Sequence, residues 1–239
     1  MSHDATARFS FYDDADLMRA QAWNGQHRTV IGGLWEELGS LQLEFLKSRG
    51  LQPQHALIDV GAGSFRAGVK PVPYLDPGNY YAIDLQSVLL EAGYTREIEP
   101  AGLAGRFPRG NFVVNGSFDI SSFQRTFDFG IAQSVFTHMP INRLSDCLAA
   151  LAPHFRAGGL LFVTVFLAND GEADRPVRQG PDGVVTTPTQ DPYHTTVTAL
   201  REVAARALDW QMIVLGGWAH PRNQQMVCFE RTNHGSRPR

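Results

Sequence analysis

Only two cysteines occur in the 239 residues, Cys147 and Cys228, with no CxxC pair and no Cys/His spacing that suits a metal. On that ground no disulfide framework, thiol redox motif or structural metal centre is expected. Lysine and arginine never gather into a run and the net charge is −3, so the basic stripe that phosphate backbones attract is missing. No nucleic-acid partner is expected. No window approaches ~18 uninterrupted apolar residues, the length a membrane span requires. Residues 1–16 are polar and acidic, without the apolar core of a secretion signal. These absences leave a cytoplasmic protein with no membrane partner as the expectation. No internal repeat is visible, and composition says nothing of oligomeric state.

What is present fits one globular domain: 43% hydrophobic and 19% charged residues in a chain long enough for a large core. Residues 14–24 and 34–48 read as helices, the second with Leu34, Leu38, Leu41 and Phe45 at three-to-four spacing and Gly50 to end it. Apolar runs at residues 55–60, 80–84, 111–115, 127–133 and 160–167 then alternate with helical stretches. Strands of that kind, separated by helices, predict a parallel sheet covered on both faces. Leu144, Leu148 and Leu151 give one helix its buried face, and Gly158-Gly159 is read as the turn into the fifth strand. Residues 169–192, rich in Asp, Gly, Pro and Thr, are expected to form a long exposed loop. A helix over 195–208 precedes strands at 211–215 and 226–230, which pair antiparallel because no helix separates them. The expected architecture is α/β: a seven-stranded, mostly parallel, doubly wound sheet ending in an antiparallel hairpin. Residues 1–50 would form an N-terminal helical cap, 51–231 the Rossmann-like domain and 232–239 a disordered tail.

The chemistry concentrates at the predicted carboxyl ends of the strands, where open α/β sheets bind ligands. Leu57-Ile58-Asp59-Val60 runs into Gly61-Ala62-Gly63, and 21 positions after Gly63 the second strand closes on Asp84, with Leu85 beside it. Two glycines allow the backbone to approach a ligand that a β-carbon would obstruct. An acid at that spacing can accept hydrogen bonds from both ribose hydroxyls. The third strand opens onto Gly116-Ser117-Phe118-Asp119, suited to a base, and the fourth onto Gln133-Ser134 and Phe136-Thr137-His138-Met139-Pro140.

These motifs together resemble the class I S-adenosylmethionine-dependent methyltransferases. Asp59, Gly61 and Gly63 match their acid-x-Gly-x-Gly motif, and Asp84 the acid closing strand two. Phe127 to Ser134 and Leu151 to Gly159 match their fourth-strand pattern and the approach to the fifth. The resemblance covers roughly residues 55–167. It implies S-adenosylmethionine as cofactor, held by Asp59, Gly61, Ala62, Gly63, Asp84, Leu85, Ser117, Phe118, Gln133 and Ser134, and a small-molecule methyl acceptor. One departure stands out. Where the family commonly carries an acid for the adenine amino group, this chain has Asn115-Gly116-Ser117, with Asp119 two residues late. Ser117 and the backbone of Ser117 and Phe118 are the candidates to take over that contact.

Three histidines are candidate catalytic groups: His138 after the fourth strand, then His194 and His220. Packing or surface roles compete with catalysis at each, and no ligand spacing links them to a metal. Tyr12, Trp23, His27 and Arg28 are candidates for the methionine carboxylate, against a purely structural lid. Arg66 either bonds a carboxylate or faces solvent. The sequence therefore reads as an O- or N-methyltransferase of small molecules, natural-product or sugar intermediates among them. The alternatives are a non-catalytic cofactor-binding or scaffold protein and an NAD(P)-dependent oxidoreductase. The latter wants a third glycine where Arg66 stands, followed by a long helix, whereas Pro71 and Pro73 keep the helix short.

Overall fold

The computed structural model of the protein describes residues 8–180 and 183–232. The helices are α1 (Ala15–Trp23), α2 (His27–Val30), α3 (Trp35–Ser48), α4 (Pro71–Tyr74), α5 (Ser87–Gly93), α6 (Asn142–Leu151) and α7 (Val197–Arg206). The central strands are β1 (Leu57–Val60), β2 (Tyr80–Asp84), β3 (Phe112–Val114), β4 (Phe127–Ala132) and β5 (Phe155–Leu167). Three two-residue strands follow, β6 (Val177–Arg178), β7 (Val185–Thr186) and β8 (His194–Thr195), then β9 (Trp210–Gly217) and β10 (Gln225–Arg231).

The sheet order is β3-β2-β1-β4-β5-β10-β9, with β8 added beside β5. Strands β1 to β5 are parallel, while β10 runs antiparallel to both β5 and β9. The sequence expectation of a parallel sheet finished by an antiparallel hairpin is thus met. Alternate side chains of each strand go to opposite faces. Ile58, Val60, Val163 and Val165 join Leu144, Leu148, Leu151, Leu200 and Val203 in one core. Leu57, Phe129, Ile131 and Phe162 join Phe45, Leu46 and Phe107 in the other.

Three local expectations change. Strand β5 begins at Phe155, and Gly158-Gly159 lies inside it as a bulge: Phe127 pairs with Phe155 but Phe129 with Leu160. The buried stripe of α3 is Trp35, Leu38, Gly39, Gln42, Phe45 and Leu46, so Leu34 and Leu41 lie off its centre. Gly50, at φ 95°, closes α3 as expected, with Gly50 N–H on Lys47 O and Leu51 N–H on Leu46 O.

Residues 169–192 are the third change, being neither featureless nor wholly exposed. Strands β6 and β7 pair, and Thr186 and Gln179 are buried between them and His194. Gln179 Nε2 donates to Thr186 Oγ1 at 3.0 Å and to Leu167 O at 3.3 Å, which ties the excursion to β5. Polar composition misled here, because the segment buries side-chain amides and hydroxyls instead of aliphatic groups.

The expected tail lies outside the described residues except Thr232, whose N–H bonds Asp209 O at 2.8 Å. Residues 1–7 of the expected cap also lie outside them.

Candidate functional site

The carboxyl ends of β1, β2, β3 and β4 open into one cleft of about 1100 Å³. The β1 loop supplies its floor. Gly61 and Gly63 have φ values of 72° and 56°, where a side chain is strained. A β-carbon at Gly61 would strike Val135, and one at Gly63 would come within 2.9 Å of Ile31 Cγ2. Both neighbours line the cleft as well, so the bare backbone is enclosed on two sides.

Asp84 closes the loop. Its carboxylate accepts the Gly63 N–H at 2.7 Å and the Gln86 N–H at 2.8 Å. Enclosure raises its pKa, and those two bonds act against the rise. Asp59 is deeper and accepts the Tyr80 hydroxyl at 2.6 Å. Burial pushes its carboxyl up to about 7, with Asp84 adding to the rise and Tyr80 opposing it.

The β3 turn explains the departure seen in the sequence. Asn115 Oδ1 accepts from Ser117 N, Ser117 Oγ and Asp119 N, so Asn115 builds the turn. Asp119 is exposed and bonds Ser121 N, and it does not line the cleft. Ser117 and Phe118 do, opposite the half-exposed side chain of Leu85. The apolar wall and small polar turn suit a flat heterocycle.

A polar network occupies the β4 edge. Ser134 N donates to Thr164 Oγ1 at 2.7 Å, and Gln133 Nε2 and Ser134 Oγ both reach Gln224 Oε1 at 3.0 Å. Arg66, left open by the sequence between carboxylate binding and solvent, is buried. Its Nη1 donates to Ile31 O at 2.9 Å and Gly33 O at 3.0 Å, and burial lowers its pKa to about 10. Seven buried side-chain polar atoms lack a partner among the described residues; four belong to cleft residues, Gln42 Oε1, Arg66 Nε, Gln133 Oε1 and Arg143 Nε. Each such atom costs about 1–3 kcal/mol when unmatched. That concentration marks where a polar ligand would complete the fold.

The three histidines separate. His138 lines the cleft, and its Nδ1 donates to Asp191 Oδ1 at 2.6 Å, the arrangement that in a neutral imidazole puts the lone pair on Nε2. Asp191 Oδ2 accepts the Ser10 hydroxyl. His194 does not line the cleft. Its Nε2 donates to Ala173 O at 3.2 Å and its Nδ1 lies 2.9 Å from Thr186 Oγ1, so it anchors the excursion. His220 is also outside the lining, stacked on Trp218 with its Nε2 3.2 Å from Gln133 Nε2. Burial, reinforced by Arg222 and Arg66, lowers its pKa to about 4.

Of the N-terminal candidates, only Tyr12 lines the cleft. Trp23 is 84% exposed. His27 and Arg28 instead bond Glu97 at 2.6 and 2.7 Å. Burial works against the Glu97 charge, but the bonds from Arg28 and His27 outweigh it and hold the carboxyl below its usual range. Asp191, Ser10 and Gln42 escaped the sequence reading. Gln42 carried a signal, a polar residue seven positions after Trp35 on an apolar helix face; Asp191 carried none.

No protein-family model matches the chain. Solved structures do. An S-adenosylmethionine-dependent methyltransferase from Clostridium acetobutylicum superposes with a TM-score of 0.62 at 10% identity, over 90% of this chain and 99% of that one. Magnesium protoporphyrin IX methyltransferase from Synechocystis, solved with bound SAH, gives 0.59 at 13% identity over 91% and 97%. An O-methyltransferase family protein from Burkholderia thailandensis gives 0.60 at 14% identity over 93% and 62%. With its sheet order and its single antiparallel strand, the chain has the class I, Rossmann-like methyltransferase fold.

Proposed function

We propose that this protein transfers a methyl group from S-adenosylmethionine to a hydroxyl of a small molecule. The observation that carries the reading is one cleft lined both by Asp84 with the glycine loop and by His138, which Asp191 holds from outside the lining. The residues fit the cofactor. Gly61, Ala62 and Gly63 present bare backbone, Asp84 offers a carboxylate to the ribose, and Leu85, Ser117 and Phe118 flank the base. The unpartnered atoms of Gln42, Arg66 and Gln133 suit the charged methionine end. That the compared methyltransferases include one solved with SAH supports the assignment.

When bound, the cofactor supplies a methyl group on a positively charged sulfur, already activated for displacement. The protein must therefore align an acceptor, exclude water and receive a proton. Asp191 fixes the His138 proton on Nδ1, so Nε2 is the site that takes the acceptor's hydroxyl proton. The segment Arg8 to Asp13, apart from Phe11, lines the cleft, and Ser10 ties it to Asp191. It shields the reacting end from solvent. An amine acceptor arriving neutral would not need this base, which favours oxygen over nitrogen.

Calorimetric titration with S-adenosylmethionine, followed by methyl transfer to a panel of hydroxy and amino compounds, tests the reading. Binding together with turnover of a hydroxy compound is expected. Binding with no turnover on any acceptor would support a scaffold role instead. An absence of binding would remove the cofactor assignment.

A further inference from the structure

Tyr12 belongs to none of the strand-end loops, yet its ring sits where their two ends meet. It lies in the short turn Phe11–Asp13, and three contacts fix it. Its carbonyl accepts Gln86 Nε2 at 2.7 Å, which ties it to the Asp84 end of the cleft. Its hydroxyl donates to Val30 O at 2.9 Å. Its ring meets the His138 ring edge-on, with centroids 4.8 Å apart and planes at 73°. Phe11 backs it at 4.1 Å. Burial raises the Tyr12 hydroxyl pKa to about 12, and charges from both ends of the cleft act on it, Asp191 and Asp84 adding to the rise and Arg66 and Arg222 opposing it.

The carboxylates that line the cleft already accept hydrogen bonds, Asp84 from Gly63 and Gln86, Asp59 from Tyr80 and Asp13 from Phe9 and Ser10. Asp191, outside the lining, accepts from His138 and Ser10. None of the carboxylates lining the cleft is without such a donor among the described residues, which leaves the balancing of a positive sulfur between Asp84 and His138 to another group. An aromatic face balances such a charge through its quadrupole, without competing for the methyl group as a nucleophile.

We propose that the Tyr12 ring is the surface that recognises the sulfonium charge of the donor, and that it discriminates S-adenosylmethionine from its neutral product, S-adenosylhomocysteine. The inference rests on the cofactor assignment made above. Its functional consequence is release: the attraction exists for the charged donor and vanishes for the thioether left after transfer.

The test is equilibrium binding of S-adenosylmethionine and of S-adenosylhomocysteine to the full chain, as wild type, Tyr12→Leu and Tyr12→Phe. Tyr12→Leu should weaken the charged ligand about 3–30-fold and leave the neutral one within about twofold, the range a cation–π contact spans. Tyr12→Phe, which keeps the ring and loses the Val30 bond, should retain the wild-type ratio of the two affinities. Equal weakening of both ligands by Tyr12→Leu overturns the proposal and makes Tyr12 a structural lid. So does an unchanged ratio, or a Tyr12→Phe variant that behaves like Tyr12→Leu. Wild-type protein that binds neither compound removes the cofactor assignment, and this inference with it.

Discussion

Asp191 and His138, 53 positions apart in the chain, meet at 2.6 Å between Oδ1 and Nδ1. The carboxylate can only accept, so the contact sets which imidazole nitrogen carries the proton. Asp191→Asn removes that constraint while keeping the side chain's size. It should lower kcat by roughly 10²-fold, the usual worth of a positioned base. The dissociation constant for S-adenosylmethionine should not move. Steady-state kinetics on an acceptor from the panel, paired with calorimetry, checks both halves; unchanged kcat removes His138 from the chemistry.

Asp84→Ala strips a carboxylate that Gly63 and Gln86 both address. Cofactor binding should weaken by about 1–3 kcal/mol, or roughly 5–150-fold. Asp119→Ala, on the neighbouring turn but outside the lining, should leave binding intact. If the two variants titrate alike, Asp84 is not the ribose acid.

Gly63→Ala places a methyl group 2.9 Å from Ile31 Cγ2 at a residue with φ 56°. Strain and crowding together should destabilise the protein by about 1–3 kcal/mol. Urea denaturation gives the figure, and a second substitution, Ile31→Ala, should recover part of it by making room.

Asp59 predicts a slope in stability against pH. Its folded pKa of about 7 lies above the ordinary 3.8, so the folded protein keeps a proton that the unfolded chain releases. Stability should fall as pH rises from about 4 to 7 and level off above, by roughly 2–4 kcal/mol. Asp59→Asn cannot ionise and should flatten that slope, so it should exceed wild type most at pH 8. A wild-type curve that is flat across this range would falsify the assignment.

Glu97 carries the opposite sign. Its lowered pKa contributes stability that is present above the unfolded value and is lost as pH falls through the folded one. Glu97→Gln should lower Tm at pH 7, and the gap to wild type should close as the pH approaches 3. Arg28 also lies over the Trp35 ring at 4.6 Å, so the loosened cap should appear in tryptophan emission.

The strands were readable because parallel strands buried on two faces are apolar almost throughout, as Leu57–Val60 and Phe127–Ala132 are. Asp84 was readable for a different reason, since its distance from Gly63 is set by one crossover of the chain. The Gly158-Gly159 bulge was not, because a glycine pair has the same local preference in a turn and in a widened strand. Residues 169–192 hid their order in polar pairs such as Gln179 with Thr186, which periodicity cannot register. Asp191 was invisible for the same reason that it matters. Its partner is fixed by tertiary approach, and no spacing encodes that.

The knot of Gln179, Thr186 and His194 holds together chiefly through its own bonds, and Leu167 O and strand β8 fasten it to the sheet. It therefore resembles an interchangeable cartridge inserted between β5 and α7. Asp191 is delivered by this insert, whereas Asp84 and the glycines belong to the sheet. Evolution could replace the one without retuning the other, so on the proposed function a lineage could change its acceptor, and the degree of proton assistance, while its donor site stays as it is.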